Sequence, residues 1–600
     1  MPSIPIRLPL LTGLLLLAAA APMFPAPPAP PLVPTSFGDT VDVNVVNVEV
    51  YVTDKDGHRV PGLKKEDFSL SEDGRKVEVV NFAAVDRPPS APVPAAPPPG
   101  VPTNPAPVEA PPPVDPNSVL SLVVFVDNVH ILPEHRTRAV EQIRQFLKQN
   151  VHAGDRVMLA TLDVNLRDRL PFTADGERID AALREAENLP SYGQQEDQGR
   201  RMAYDTMVEL YEIDHGCGPD VVKPVEGFAQ QTQADALRTV GALRLTVSSL
   251  SGVPGRKAVL FVSDGVPITP GEELYEAAYD LCTGKLAQLG YKIPQGKSGP
   301  AGDSSQMDAS GIALDAQKYS VAKKIEDLAA QASANGVTFY TLQASGLRGN
   351  AASDASYGAE KSLLQEGDIQ QIQTSNLKGS LTALADDTGG RFILDTNNFL
   401  PELARMQEDF DSYYSLGYSP GHSGDGKVHQ ISVKLKRPGL RVRYRPSYRD
   451  KPAVEKMVDR TLAALLHGIE DNPLGVAVEI GDLTPAEGGD YAVPVRLKIP
   501  LFKLAILNQQ GNYVGKLRLV VAVRDDAGGL SPLRQVEVPL NIPRKEVLNA
   551  LGQYYLYTLT LKMKPGAQHF AVAVRDELGA TTSYLSRPVT VGAAVAAANP

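Results

Sequence analysis

The chain has few cysteines and no tryptophan. Two cysteines among 600 residues exclude a scaffold held by many disulfides and a metal site built from several thiolates. Positive charge is also scarce, because 59 Lys and Arg stand against 70 Asp and Glu, for a formal net charge of −11. An acidic balance argues against general nucleic-acid binding, which depends on neutralising phosphates. Folding must therefore rest on ordinary hydrophobic cores, and the length predicts about three or four folded units.

Long apolar runs are absent except near the N-terminus. There, Arg7 precedes the run Leu8–Ala21, and Pro22 follows it at once. The run is shorter than the roughly 20 residues that span a bilayer, so residues 1–20 are predicted to be a cleaved signal peptide, with an uncleaved membrane anchor as the alternative. We expect an exported protein, periplasmic or extracellular, without stable membrane insertion after cleavage.

Changes of pattern along the chain predict its organisation. Alternating apolar residues between turn signals predict a small β domain over residues 38–85, and a proline-rich stretch predicts a stiff linker over 86–117. Strands alternate with helices over 118–450, which ends in a trailing β segment with a hairpin near Pro438. A linker helix is predicted over 451–470 and a β-sandwich over 471–595.

The segment 118–450 predicts a Rossmann-like, doubly wound α/β domain. Leu122–Val126 and Ala258–Val262 are continuous apolar runs, typical of parallel strands that are covered on both faces. Residues 194–227 and 271–320 are too long for ordinary connections and are predicted to be insertions. Cys217 and Cys282 lie one in each. In an exported protein they are predicted to form a disulfide, with two inert free thiols as the alternative.

Several sequence blocks resemble the von Willebrand factor type A (vWA) family. These are the strand ending in Asp127, Gly154-Asp155-Arg156-Val157, Phe172-Thr173-Ala174-Asp175, and Gly255-Arg256-Lys257 leading into Ser263-Asp264-Gly265. Other blocks are similar to the exported, acidobacterial-type VWFA-related family: Val52-Thr53-Asp54-Lys55-Asp56-Gly57, Glu72-Asp73-Gly74, Ala385-Asp386-Asp387-Thr388-Gly389-Gly390-Arg391, Thr396-Asn397-Asn398 and Tyr413-Tyr414-Ser415-Leu416-Gly417-Tyr418. The resemblance covers about residues 41 to 448.

The resemblance implies a binding domain that often carries a metal-ion-dependent adhesion site. Such a site takes oxygen ligands from an Asp-x-Ser-x-Ser loop, a Thr and a second Asp. Here Val129 and Ile131 stand at the two serine positions, Asp264 matches the second Asp, and the sequence offers no secure Thr. We therefore expect a degenerate site with no required cofactor, in which Asp127 and Asp264 cap neighbouring helices. The alternative is that the two aspartates, with water, hold Mg²⁺ or another divalent cation weakly.

The function predicted from the sequence is non-enzymatic binding of another protein or a cell-surface polymer. Asn128, His130 and Asp163 lie near the two aspartates and are candidate ligand-binding residues, although His130 and His135 are more typical of core or surface histidines. Two alternatives stay open. One is a hydrolase or other enzyme in the cleft around Asp127, Asp163 and Asp264, and the other is a structural envelope protein. Because the sequence shows no Gly-x-Ser-x-Gly or His-Glu-x-x-His motif, binding is favoured.

Overall fold

The computed structural model describes residues 45–87, 119–152, 154–214, 216–283, 309–347 and 367–592. The predicted signal peptide lies outside these ranges, as do nearly all of the proline-rich linker and the middle of the second insertion. Among the described residues, no helix is long and apolar enough to cross a bilayer.

The described chain forms 23 strands and 11 α-helices. The strands are β1 Val46–Thr53, β2 Phe68–Glu72, β3 Arg75–Val77, β4 Asn81–Asp86, β5 Leu120–Asp127, β6 Arg156–Leu162, β7 Leu166–Thr173, β8 Arg256–Ser263, β9 Val337–Gln343, β10 Phe392–Ile393, β11 Ser412–Tyr418, β12 Val428–Leu435, β13 Arg441–Tyr444, β14 Ser447–Arg449, β15 Ala477–Ile480, β16 Thr484–Pro485, β17 Tyr491–Pro500, β18 Leu507–Gln509, β19 Asn512–Asp525, β20 Arg534–Pro543, β21 Tyr554–Met563, β22 Gly566–Asp576 and β23 Thr581–Val591. The helices are α1 Pro133–Asn150, α2 Gly176–Ala186, α3 Gly193–Ile213, α4 Lys223–Ser249, α5 Glu272–Thr283, α6 Ala309–Asp315, α7 Ala322–Ala334, α8 Gly367–Thr388, α9 Leu400–Asp411, α10 Ala453–His467 and α11 Val547–Leu551.

A six-stranded sheet forms the centre of the α/β region. Its order is β10-β9-β8-β5-β6-β7, and β7 at the edge is the antiparallel strand. Every residue of β5 is buried, as expected for a strand between two layers of helices. Val124 and Val126 contribute to the core with α1, α2 and α9, whereas Val123 and Phe125 pack on the opposite face with α4, α7 and α8. The predicted doubly wound α/β sheet is therefore present, in the strand order of Rossmann-like folds.

The N-terminal strands do not form a sheet by themselves. Strand β1 lies between β11 and β13, with Val50 opposite Tyr414, and β2 lies between β12 and β3. The predicted small β domain is therefore part of a sandwich. Its strands β1–β4 share both sheets of that sandwich with strands β11–β14 of the trailing β segment. The predicted hairpin near Pro438 is wrong, because β12 pairs with β2 whereas β13 pairs with β1 in the other sheet. Local alternation identifies strands correctly but carries no information about their partners.

The C-terminal strands form a second sandwich. One sheet contains β15, β16, β17 and β21, and the other contains β18, β19, β20, β22 and β23. Their inward side chains, such as Val495, Leu519 and Val572, share one core. Helix α10 occupies the predicted linker-helix segment, and its buried face, which includes Leu462 and Leu465, packs on β19, β22 and β23.

The two insertions contribute a helical layer with its own core. Helices α3 and α5, the first turns of α4 and helix α6 share buried residues that include Met207, Val225 and Leu274. The predicted Cys217–Cys282 disulfide is present, with Cα atoms 5.5 Å apart. It joins the segment after α3 to α5, so the two insertions are covalently linked.

Candidate functional site

The candidate site lies at the carboxyl edge of the central sheet. Asp127 is the last residue of β5, and Asp264 directly follows β8, which is paired in parallel with β5. Ligands of doubly wound sheets bind at this edge, where the strand order reverses. The sequence predicts both aspartates at strand ends, and the structure shows that the two strands are neighbours.

Asp127 is fully buried and accepts hydrogen bonds from its own surroundings. Its Oδ2 contacts His130 Nδ1 at 2.9 Å and accepts from Ser263 Oγ at 3.0 Å. Its Oδ1 accepts from the Val129 amide at 3.2 Å, and Thr239 Oγ1 lies 3.5 Å away. Both carboxylate oxygens are thus engaged within the protein, so Asp127 does not cap a helix, contrary to the prediction.

The buried partner of Asp127 is a histidine that carries a proton. Burial by itself would lower the pKa of His130, but the charge of Asp127 and their hydrogen bond outweigh burial and raise that pKa to about 9. The negative charges of Glu196 and Asp235 act in the same direction. Asp127 and His130 therefore form a buried carboxylate–imidazolium pair, in which the imidazolium compensates the carboxylate charge.

Asp264 has a different partner at the same edge. Its Oδ2 accepts from the amide of Leu132, the N-cap residue of α1, at 3.1 Å and contacts His135 Nδ1 at 2.7 Å. The second carboxylate oxygen, Oδ1, is buried without a hydrogen-bond partner. Asp264 thus caps α1, as predicted from the sequence.

The other two candidate ligand-binding residues are part of a polar network beside Asp127. Asn128 Nδ2 donates to Asp163 Oδ1 at 2.7 Å, and Arg169 forms an ion pair with the other oxygen of Asp163 at 2.6 Å. Arg136 Nη1 donates to Asn128 Oδ1 at 3.1 Å. These contacts hold the loop after β5 against the loop after β6.

The two residues at the serine positions belong to the hydrophobic cores. Ile131 packs in the core under α1, and Val129 packs in the core on the opposite face. Helix α3 of the first insertion closes over this loop, because a Cβ atom at Gly193 would lie 2.7 Å from the Ile131 carbonyl oxygen. The segment that carries metal-binding hydroxyls in an intact adhesion site is here apolar, buried and covered.

Sequence reasoning missed two hydroxyl groups of the site. Thr239, in the middle of α4, lies 3.2 Å from His130 Nδ1, and Ser263 donates to Asp127. The position of Ser263 directly before Asp264 was a usable signal. Thr239 gave none, because it lies within a long helix far from any strand end.

The oxygen atoms around Asp127 and Asp264 are the candidate ligands for a divalent cation. Mg²⁺ prefers about six oxygen ligands in a tight octahedron. Val129 and Ile131 replace the two hydroxyl ligands of such a site, and the positive charge of His130 lies against Asp127 Oδ2. Asp264 Oδ1 is the unsatisfied oxygen of the pair. These residues therefore do not fit an adhesion-type metal.

Comparisons with known proteins give weak similarities. No family model and no curated protein sequence matches this chain. The vWF domain of the type V pili tip protein Mfa5 from Porphyromonas gingivalis is 13% identical over 49% of this chain and 93% of that chain, with a TM-score of 0.24. BatB, a conserved hypothetical protein from Bacteroides thetaiotaomicron, is 10% identical over 48% of this chain and 96% of that chain, with a TM-score of 0.23. Similarities at this level carry no argument about function, so the vWA resemblance rests on this chain's sequence blocks and strand order.

Proposed function

We propose that this chain is an exported, non-enzymatic binding protein that engages another protein or a cell-surface polymer without a divalent cation. The observation that carries the proposal is the buried Asp127–His130 pair. An adhesion-type cation would have to lie beside the positive charge of His130 at Asp127 Oδ2, and it would lack the two hydroxyl ligands that Val129 and Ile131 replace. The polar groups at the carboxyl edge therefore bind one another, and we expect a partner to contact the helical layer that covers this edge.

The helical layer offers a suitable contact surface. Met202 and Ile213 on α3 are 69% and 63% exposed, although both are large and apolar. The layer has its own core and a disulfide, so α3 is held in place without the partner. A rigid surface with exposed apolar side chains loses little entropy when it binds.

The enzyme alternative has less support. Asp127 is completely buried, and Asp163 is paired with Arg169 and Asn128. A hydrolytic carboxylate or nucleophile must reach substrate in the cleft. Asp264 is 7% exposed, and its Oδ1 has no hydrogen-bond partner, so this oxygen is the group at which the enzyme alternative can be tested.

The test is capture of a partner by the full-length protein from the exported fraction of the producing cells, with identification of what is bound. Three proteins are compared: wild type, Met202→Glu on α3, and the control Leu556→Glu, which adds the same charge at an exposed apolar site of the C-terminal sandwich. We expect the same partner with or without EDTA, reduced capture by Met202→Glu and normal capture by Leu556→Glu. Capture that EDTA abolishes and Mg²⁺ or Mn²⁺ restores would contradict the proposal.

A further inference from the structure

A second cluster of ionisable side chains lies in the first β-sandwich, apart from the carboxyl edge. His422 is in the loop between β11 and β12, and His429 is on β12. Their rings stack with centroids 3.7 Å apart and 11° between the planes. Glu72, the last residue of β2, reaches the same point from a distant part of the sequence.

Each ring nitrogen of this pair faces a carboxylate. His422 Nδ1 contacts Asp450 Oδ2 at 2.9 Å, and its Nε2 lies 3.3 Å from Glu72 Oε1. His429 Nδ1 contacts Asp73 Oδ2 at 2.8 Å, and its Nε2 lies 3.2 Å from Asp425 Oδ1. Four carboxylates thus surround two imidazoles.

We propose that Glu72, His422 and His429 form a binding site for a divalent transition-metal ion of the zinc type. One ligand atom from each of the three residues lies within 4.8 Å of the other two. Bonds of about 2.0–2.1 Å place neighbouring ligands of a tetrahedral ion about 3.3 Å apart, and His422 Nε2 and Glu72 Oε1 already have that separation. Two imidazoles and a carboxylate are a donor set that suits zinc.

The surrounding residues supply the outer contacts that metal ligands need. Histidine ligands donate their second ring N–H to a carboxylate, which fixes the ring orientation. Asp450 is placed to do this for His422, and either Asp73 or Asp425 for His429. Glu72 is oriented by two hydroxyls, since Tyr418 and Tyr448 donate to its Oε1 at 2.6 and 2.9 Å.

Charge also favours a dication at this place. Lys456 Nζ lies 3.7 Å from Asp450 Oδ1 and is the lysine that forms an ion pair with the cluster in the described structure. Neutral imidazoles would leave most of the negative charge of Glu72, Asp73, Asp425 and Asp450 uncompensated. A bound Zn²⁺ would offset two of these charges.

Binding requires one local change. An ion must lie close to the plane of each imidazole, so the stacked rings must tilt apart. His422 is on a loop in which Gly424 and Gly426 adopt positive φ angles, and its side chain is 21% exposed, so His422 is the ring that turns. The ion would then tie β2 to a loop about 350 residues later in the sequence.

The test is metal uptake by the full-length protein after treatment with EDTA and removal of the chelator. We expect calorimetry to give one Zn²⁺ per chain with micromolar or tighter affinity, and Co²⁺ to give the intense visible absorption of a tetrahedral site. His422→Asn should reduce the affinity at least tenfold. His58→Asn is the matched control, because His58 belongs to a separate, exposed group with Asp54 and Asp56.

The variants separate this site from surface binding and from loss of folding. Circular dichroism checks that His422→Asn keeps the wild-type fold, and Glu72→Gln gives a second variant that retains an oxygen acceptor for both tyrosines. Uptake unchanged in both variants, or lost in His58→Asn, would overturn the proposal. Partner capture is a separate measurement with a different readout, so either proposal can fail while the other stands.

Discussion

The Asp127–His130 pair makes the stability of the protein depend on pH in a defined range. The folded state raises the pKa of His130 to about 9 from an ordinary value of 6.5. Below about pH 6.5 both the folded and the unfolded chain hold the proton, so the full contribution is present. As the pH rises through 9, the folded protein loses the proton and the contribution disappears.

The expected size follows from the pKa difference. Each unit is worth about 1.4 kcal/mol, so the pair should contribute about 3 kcal/mol at pH 6 that is absent at about pH 10. The discount for solvent screening is small, because the side chains of His130 and Asp127 are 1% and 0% exposed. A loss of this size is large against the total stability of a folded domain.

The measurement compares wild type with His130→Gln in urea, followed by circular dichroism from about pH 6 to about pH 10. Other groups titrate in this range, so the quantity of interest is the difference in unfolding free energy between the two proteins at each pH. We expect that difference to be largest near pH 6 and to shrink by about 3 kcal/mol towards pH 10. His58→Gln, at an 80% exposed side chain, is the control for loss of an imidazole at the surface.

Two results would refute the reasoning. A difference that stays constant over the whole range would mean that folding does not change the pKa of His130. A difference that grows with pH would mean that burial dominates and that the histidine is neutral.

Four further predictions test the architecture. Proteolysis within the proline-rich residues 88–116 should give two products that stay together in native size-exclusion chromatography, because β1 lies between β11 and β13. Fragments that separate on the column would contradict this strand pairing. Replacing Cys217 and Cys282 by serine opens a 65-residue loop, which should lower the free energy of unfolding by about 4 kcal/mol and speed proteolytic cleavage within α3. An unchanged cleavage rate would show that the hydrophobic core of the helical layer is enough to hold α3 in place. Arg256→Met should lower the free energy of unfolding by about 3 kcal/mol, since the buried guanidinium lies over the Tyr413 ring and donates to Glu49. The exposed Arg496→Met is the control, and equal denaturation midpoints for the two variants would contradict this role. Asp264→Ala should lower the thermal midpoint by removing the cap of α1 while partner capture stays normal, and the reverse outcome would place Asp264 in the binding surface.

The sequence predicted much of the central sheet for a local reason. Apolar runs such as Leu122–Val126 and Ala258–Val262 are long enough to identify buried strands, and the connections between them are long enough for helices. The pattern also placed Asp127 and Asp264 at strand ends, and it showed that Val129 and Ile131 lack the hydroxyls of a metal site. These conclusions depend on residue type and position alone.

Strand partners and side-chain partners were decided by the tertiary structure. Nothing near Val50 indicates that Tyr414 lies opposite it, because alternation fixes which face of a strand is buried and not which strand lies beside it. The pairing of His130 with Asp127 depends on the turn after β5, and the position of Thr239 depends on how α4 packs. Glu72 and His429 meet because β2 pairs with β12 in one sheet, and His422 reaches them from the loop before β12. Hydrogen bonding and packing act between groups that are close in space, whatever their separation along the chain.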